Sequence, residues 1–153
     1  MALELKCSSF KSNEEIPLKH TYNNENLSPW LIWSDVPPGT RSFALICDDP
    51  DAPVKTWVHW VIFNIPEETR ELKENLPNQE ILDNGAIQGV NDFGEIGYSG
   101  PSPPPGTVHR YIFKLYALDT TLNLKPKATK DDLLKAMKDH AIGEARLIGI
   151  FGR

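Results

Sequence analysis

A mainly β fold is what this sequence predicts, and three observations carry the prediction. Thirteen of its 153 residues are proline, about 8% against a usual share of about 5%. They cluster at Pro37-Pro38, at Pro50 and Pro53, and at Pro101, Pro103, Pro104 and Pro105, so stiff loops punctuate the chain and long helices have little room. Between these clusters lie apolar runs of strand length, and only the segment after Thr129 carries helical spacing.

Composition narrows the class further. With 40% apolar residues, 16 Lys and Arg against 21 Asp and Glu, and a net charge of −5, residues 1–153 read as a single globular domain, not as a disordered chain. No Lys/Arg cluster could displace counterions from nucleic acid or anionic lipid, and no apolar run approaches the roughly 18 residues of a membrane span. Met1 to Phe10 alternates charges where a signal peptide would have an apolar core, so the cytoplasm is the expected compartment.

In chain order, Leu3-Glu4-Leu5-Lys6-Cys7 alternates apolar and polar side chains, the period of a strand with one packed face. Ser8 to Ser28 is polar, Asn-rich and without an element. Trp30-Leu31-Ile32-Trp33 is a short strand closed by Val36-Pro37-Pro38-Gly39. Phe43 to Cys47 is apolar throughout and too short for a helix, which predicts a strand covered on both faces. In the buried strand Trp57 to Phe63, alternation puts Trp57, His59, Val61 and Phe63 on one side and Val58, Trp60 and Ile62 on the other. Ile65 to Ile96 reads mostly as loop, with a weak strand near Ala86 to Val90, and its length suggests a functional reason for its order. The Gly/Pro-rich segment Gly94 to Gly106 leads into a strand from Val108 to Leu118, one face of which carries His109, Tyr111, Phe113 and Leu115. Thr129 is a hydroxyl N-cap followed by Asp131 and Asp132, and Leu133, Leu134, Met137 and Ala141 continue at helical spacing to about His140. Ala145 to Phe151 is the closing strand.

Three segments offer chemistry. Asp49-Pro50-Asp51-Ala52-Pro53 lies where a buried strand ends, and parity turns Asp49 inward with Phe43, Leu45 and Cys47 while Asp51 faces elsewhere. The plain alternative is a turn with solvated acids. The loop from Gly97 to Gly106 can bring backbone N–H groups close to an anion, or can be only a connection. Gly94-x-x-Gly97-x-x-Gly100 runs into prolines and a strand, and no Gly-Lys-Ser/Thr loop occurs, so a Rossmann enzyme is excluded. A lone strand histidine is usually a core residue, but His59 follows the acidic loop by six positions and His109 the glycine loop by three, so both converge on one rim. Arg110 should point away from His109 and Tyr111 and serve a surface ion pair. Two His and one Asp lack metal-site spacing and a further strong ligand, and no metal or other cofactor is expected. Ser99 lacks a nucleophile elbow, and Cys7 and Cys47 are expected as buried thiols.

Read together, Asp49-Pro50-Asp51-Ala52-Pro53, Trp57-Val58-His59-Trp60, Gly97-Tyr98-Ser99-Gly100-Pro101 and His109-Arg110-Tyr111 resemble the two signature regions of the phosphatidylethanolamine-binding protein family. Asn91-Asp92-Phe93-Gly94, the run Gly100 to Gly106 and the compact length are similar to the prokaryotic branch called Raf-kinase-inhibitor-like proteins, and the similarity extends to Leu147-Ile148-Gly149-Ile150-Phe151. The resemblance implies a Greek-key β-sandwich with one or two short helices and a small pocket for anions, including the phosphoryl head group of phosphoethanolamine. It places that pocket on Asp49, Pro50, Asp51, Pro53, His59, Gly100, Pro101, His109 and Tyr111, with Tyr98 standing where eukaryotic relatives often have a smaller residue.

The function implied is a non-enzymatic binding or regulatory protein whose pocket receives a phosphorylated or carboxylate group of a small molecule or of a partner's side chain, and by family analogy it would be a regulator or inhibitor of a kinase or a protease. Imidazole N–H groups, the Tyr111 phenol and backbone N–H groups near Gly100 would donate to the anion, and Asp49 would orient a histidine or accept from an ammonium. The alternative is a hydrolase or transferase for small phosphorylated or acyl substrates, with His59 or His109 as general acid/base, although no activated nucleophile is visible. A head-group pocket cannot hide two acyl chains, and no nucleic acid or integral membrane association is expected. Monomer and homodimer are both compatible with the apolar strand edges and the Ile65 to Gly85 loop.

Overall fold

The computed structural model describes residues 2–153, over which the chain forms nine β-strands, one 3₁₀ turn and one α-helix. Three strands, β1 (Glu4–Cys7), β3 (Leu31–Ser34) and β6 (Glu71–Leu72), make a small antiparallel sheet in that order. The other six form a large sheet in the spatial order β2 (Glu14–Glu15), β9 (Ala141–Gly152), β8 (Val108–Leu118), β4 (Ser42–Asp49), β5 (Trp57–Pro66) and β7 (Ile87–Gln88). Only the β2·β9 pairing is parallel. After β4, β5 and β7 the chain returns to lay β8 against the free side of β4, which is the Greek-key connection.

The main core fills the space between the sheets, where Leu5, Leu31, Trp33 and Leu72 meet Phe43, Leu45, Trp60, Ile62, Phe113 and Leu115. A second apolar layer covers the outer face of the large sheet. There Ala44, Ile46, Val61 and Phe63 pack under Leu133 and Met137 of α1 (Lys130–Met137) and under Leu122 and Ala128. Cover on both faces is the reason Phe43 to Cys47 is apolar at every position. An eight-residue helix has little stability of its own, so α1 depends on this burial, at about 1.5–3 kcal/mol for each large apolar side chain, and on its cap. Thr129 Oγ1 accepts from the Asp132 amide at 3.1 Å and Asp132 Oδ2 accepts from the Thr129 amide at 3.0 Å, a complete capping box.

The structure departs from the sequence reading in three places. The helix stops at Met137, short of His140, because Asp139 takes a left-handed φ of 68°; β9 then begins at Ala141, and His140 Nδ1 meets Asp119 Oδ1 at 2.8 Å. The two-residue strands β2 and β6 lie in segments read as featureless, since each is defined by its partner and not by its own pattern. The third departure bears on the site. Cys47 opposes Trp60 and Asp48 opposes Val58, so His59 is an extra residue in β5. This bulge turns His59 and Trp60 to the inter-sheet side and leaves Val58 with Val61 and Phe63 beneath α1. Strict alternation had assigned His59 to the side of Val61 and Phe63. Among the described residues, no helix is long and apolar enough to cross a membrane.

Candidate functional site

The strand ends of β4, β5 and β8 meet around a cavity of about 280 Å³ lined by Asp49, Pro53, Trp57, His59, His109 and Tyr111, with Phe93 and Pro103-Pro104 closing its sides. β4 and β8 pair without interruption from Ser42 to Asp48, so the parity of Phe43, Leu45 and Cys47 carries through to Asp49 and turns it inward. Asp49 is 3% exposed, and both of its oxygens are engaged. Oδ2 accepts from His109 Nδ1 at 2.6 Å and Oδ1 accepts from the Asp51 amide at 2.8 Å. Asp49 therefore orients His109.

His59 is fixed in the same manner by a different group. Its Nδ1 lies 2.6 Å from the carbonyl oxygen of Ser99, and the Ser99 amide donates to the His59 carbonyl at 3.0 Å. A carbonyl only accepts, so Nδ1 carries the ring proton, and the neutral ring offers a bare lone pair at Nε2. The Nε2 atoms of His59 and His109 and the hydroxyl of Tyr111 make no hydrogen bond to the protein and are not sealed from solvent. Tyr111 holds the two rings apart, edge-to-face with His59 at 5.1 Å and stacked near His109 at 6.5 Å.

Burial pushes the His59 imidazole below its usual 6.5, against the opposing pull of the Ser99 carbonyl and the Asp49 carboxylate. Burial, reinforced by Asp49, pushes the Tyr111 phenol upward, so it remains an O–H donor at any physiological pH.

Four of the expected site residues do not line the cavity. Asp51 faces outward, where both its oxygens take Arg110 guanidinium nitrogens at 2.9 Å and Oδ2 also takes the Arg110 amide at 2.9 Å. The guanidinium holds the Asp51 carboxyl down to about 2, and the pair staples the acidic loop to β8. Arg110 thus serves the surface pair that alternation assigns it. Pro50 lies in the turn between the two acids, and Pro101 lies behind the loop, where its carbonyl accepts from the Tyr22 amide at 2.9 Å.

Gly100 is corrected as an anion donor: its amide is spent on Asn26 Oδ1 at 2.7 Å. A Cβ at position 100 would run into the carbonyl oxygen of His20, so the residue is there for a close approach of two backbones. Gly100→Ala should cost about 2–3 kcal/mol in urea unfolding as the His20 segment is forced away. An unchanged midpoint would show that this segment yields freely.

Tyr98 does not line the cavity: it is buried beside Trp60, ring centroids 5.5 Å apart, with its hydroxyl donating to the His20 carbonyl at 2.7 Å. The Ser99 hydroxyl donates to Glu95 Oε1 at 2.8 Å and accepts from Asn91 Nδ2 at 2.9 Å, so it is not poised as a nucleophile.

Sequence reasoning missed the aromatic wall. Phe93 stacks on Tyr22 at 4.6 Å and presents its ring edge-to-face to Trp57 at 5.6 Å and His59 at 5.4 Å. Asp92 beside it accepts from the Val58 amide at 2.7 Å, which pins this loop to the start of β5. Through this contact the long stretch from Ile65 to Ile96 reaches the site.

Residues 6–152 match the model of a family described as phosphatidylethanolamine-binding protein. A protein designated UPF0098 from Methanothermobacter thermautotrophicus is 54% identical over 151 residues, 99% of each chain, and one from Aquifex aeolicus is 46% identical over 99% of this chain and 89% of its own. Among solved structures, a phosphatidylethanolamine-binding protein homolog from Chlamydia trachomatis superposes with a TM-score of 0.90 at 37% identity, covering 99% of this chain and 98% of that one. Escherichia coli YbcL superposes with a TM-score of 0.92 at 30% identity, covering 100% and 99%. With a match over nearly the whole chain and relatives this similar end to end, the protein belongs to the phosphatidylethanolamine-binding protein family.

Proposed function

We propose that the cavity takes the phosphoryl or carboxylate end of a ligand, and that the protein acts by binding. One observation carries the reading. Three polar atoms without a protein partner, His59 Nε2, His109 Nε2 and the Tyr111 hydroxyl, belong to a single cavity whose other walls are mostly apolar, from Ala52, Pro53, Val54, Trp57, Phe93 and Pro103-Pro104. Such a wall removes water and strengthens each charge-assisted hydrogen bond to an anion. A volume near 280 Å³ suits a head group or a single side chain and not an acyl chain, so the ligand is a small anion or an anionic group displayed by a partner such as a kinase or a protease.

The His109–Asp49 contact of 2.6 Å also resembles the oriented-base half of a hydrolytic triad, which supports hydrolase or transferase chemistry as the second reading. The serine that lines the cavity, Ser102, accepts from Arg153 Nη2 at 2.8 Å, and neither Nε2 is hydrogen-bonded to a hydroxyl or thiol as a base is to its nucleophile, which favours binding over turnover. The test is an NMR titration of the labelled protein with phosphate and with phosphoethanolamine at pH 6, following all four histidine rings. Saturable shifts confined to His59 and His109 are expected, without turnover of phosphate or acyl esters. Absence of shifts there, or equal shifts at His20 and His140, would overturn the binding reading. Turnover abolished by His109→Ala in a folded protein would replace it with the enzymatic one.

A further inference from the structure

A second cavity, about 710 Å³, opens between β1 and β9 and contains none of the residues discussed above as an anion site. Its floor is apolar, from Leu5, Phe10 and Leu147, each less than a tenth exposed, and its rim carries Lys6, Lys11 and Arg146. Cys7 also lines it. The residue closes β1 on the same inner face as Leu3 and Leu5, but at the strand end it stays partly exposed, so the expectation of a buried thiol holds for Cys47 and fails for Cys7.

Behind the thiol runs a chain of hydrogen bonds. Cys7 Sγ lies 3.4 Å from Ser9 Oγ, Ser9 Oγ lies 2.8 Å from His20 Nε2, and His20 Nδ1 lies 2.8 Å from the carbonyl oxygen of Leu27. The direction of the chain follows from its last member. A carbonyl accepts only, so His20 Nδ1 carries the proton, and the neutral ring has a lone pair at Nε2. The ring is wholly buried, and burial pushes it below its usual value against the Leu27 carbonyl, Glu74 and Glu25, with Lys19 adding to the push. Ser9 must then donate its hydroxyl proton to Nε2, and its oxygen is left to accept from the Cys7 S–H. One step along the chain moves the thiol proton to Ser9 and the Ser9 proton to His20. The thiolate that results faces the Ser9 hydroxyl, and the imidazolium has Glu74 Oε1 at 3.9 Å, itself paired with Lys19 at 2.9 Å.

We infer that Cys7 is a nucleophile served by a proton relay through Ser9 to His20, and that the cavity in front of it admits apolar electrophiles of the α,β-unsaturated carbonyl class. An addition fits this arrangement because it needs no proton delivered to a leaving group, and His20, wholly buried, communicates with the cavity only through Ser9. The sulfur–carbon bond forms at the β-carbon as the π pair moves to the α-carbon, which takes a proton from water. The hydroxide so formed is neutralised by the thiol proton held on His20, returned through Ser9, so the net change is addition of S–H across the double bond. Ser9 and His20 act through the sulfur and are positioning residues.

The experiment is the rate of modification by N-ethylmaleimide at pH 7, read by intact mass and peptide mapping, with glutathione as the reference thiol. Cys7 should react about tenfold or more faster than glutathione, within the usual reach of a positioned base, and Cys47, fully enclosed, should stay unmodified. Ser9→Ala should lower the rate about tenfold and Ser9→Thr, which keeps the hydroxyl, should restore it. N-phenylmaleimide should gain more over N-ethylmaleimide on the protein than on glutathione. A Cys7 rate at or below that of glutathione, Ser9→Ala reacting as fast as the parent chain, or no added preference for the phenyl reagent would overturn the inference.

Discussion

Sulfate, which keeps its charge between pH 6 and pH 8, should bind the Asp49–His109–His59 cavity about tenfold more weakly for each pH unit gained above neutrality. The sign follows from the His59 tautomer. Its single proton is committed to the Ser99 carbonyl at 2.6 Å, and burial keeps the ring neutral by lowering it from 6.5, so the free protein presents a lone pair at Nε2. A lone pair repels an anion. Binding therefore takes up a proton at Nε2, and affinity must fall as protons become scarce, by one power of ten per unit for each proton taken up. Across pH 6 to 8 the loss approaches about 100-fold, readable by calorimetry or by ring chemical shifts. His59→Gln supplies an amide that donates without titrating, and it should flatten the profile. An isotherm with the same midpoint at pH 6 and pH 8 would show that His59 gives no donor to the anion.

The reach of the sequence can be judged residue by residue. The strand from Val108 to Leu118 was legible at both ends, because it is paired along its whole length with β9 and its one register shift falls at the very end, between Ala117 and Leu118. Asp49 was placed correctly for the same reason: nothing interrupts the β4·β8 register ahead of it. His59 was chosen for the site but put on the wrong side of β5, since the bulge that turns it is set by the partner strand and leaves no mark in local alternation. Gly100 and Asn26, 74 positions apart, show the same limit from another direction. A glycine near a site suggests a ligand, but here it admits the His20 backbone, and only the folded chain brings that carbonyl near. Pro53, His109 and Tyr111 line the cavity, whereas Asp51, Pro50, Gly100 and Pro101 lie outside its lining.

Removing the Asp48 carboxylate should destabilise the fold by about 3–5 kcal/mol, the largest loss expected of any single side chain outside the apolar core. Asp48 is 1% exposed and lies on the face of β4 opposite Asp49, among the residues that pack under α1. Its Oδ2 receives Lys130 Nζ at 2.7 Å and Lys114 Nζ at 3.2 Å, while Oδ1 is buried without a partner. A lysine in the first turn of a helix opposes the helix dipole, and Asp48 is the reason Lys130 is tolerated there. Asp48→Ala would leave two ammonium groups together, on side chains 22% and 18% exposed, with no counter-charge. Their stems can carry them partway to water, so the measured loss should fall toward the lower end of the range. Urea unfolding gives the number, and a change below about 1 kcal/mol would show that the lysines relax into solvent. Asp48→Ala combined with Lys114→Met and Lys130→Met should recover most of the stability, because the cost lies in stranded charge and not in the loss of an intrinsically strong bond. That recovery, with sulfate still bound at pH 6, would also establish that α1 is held to the sheet independently of the cavity on its other face.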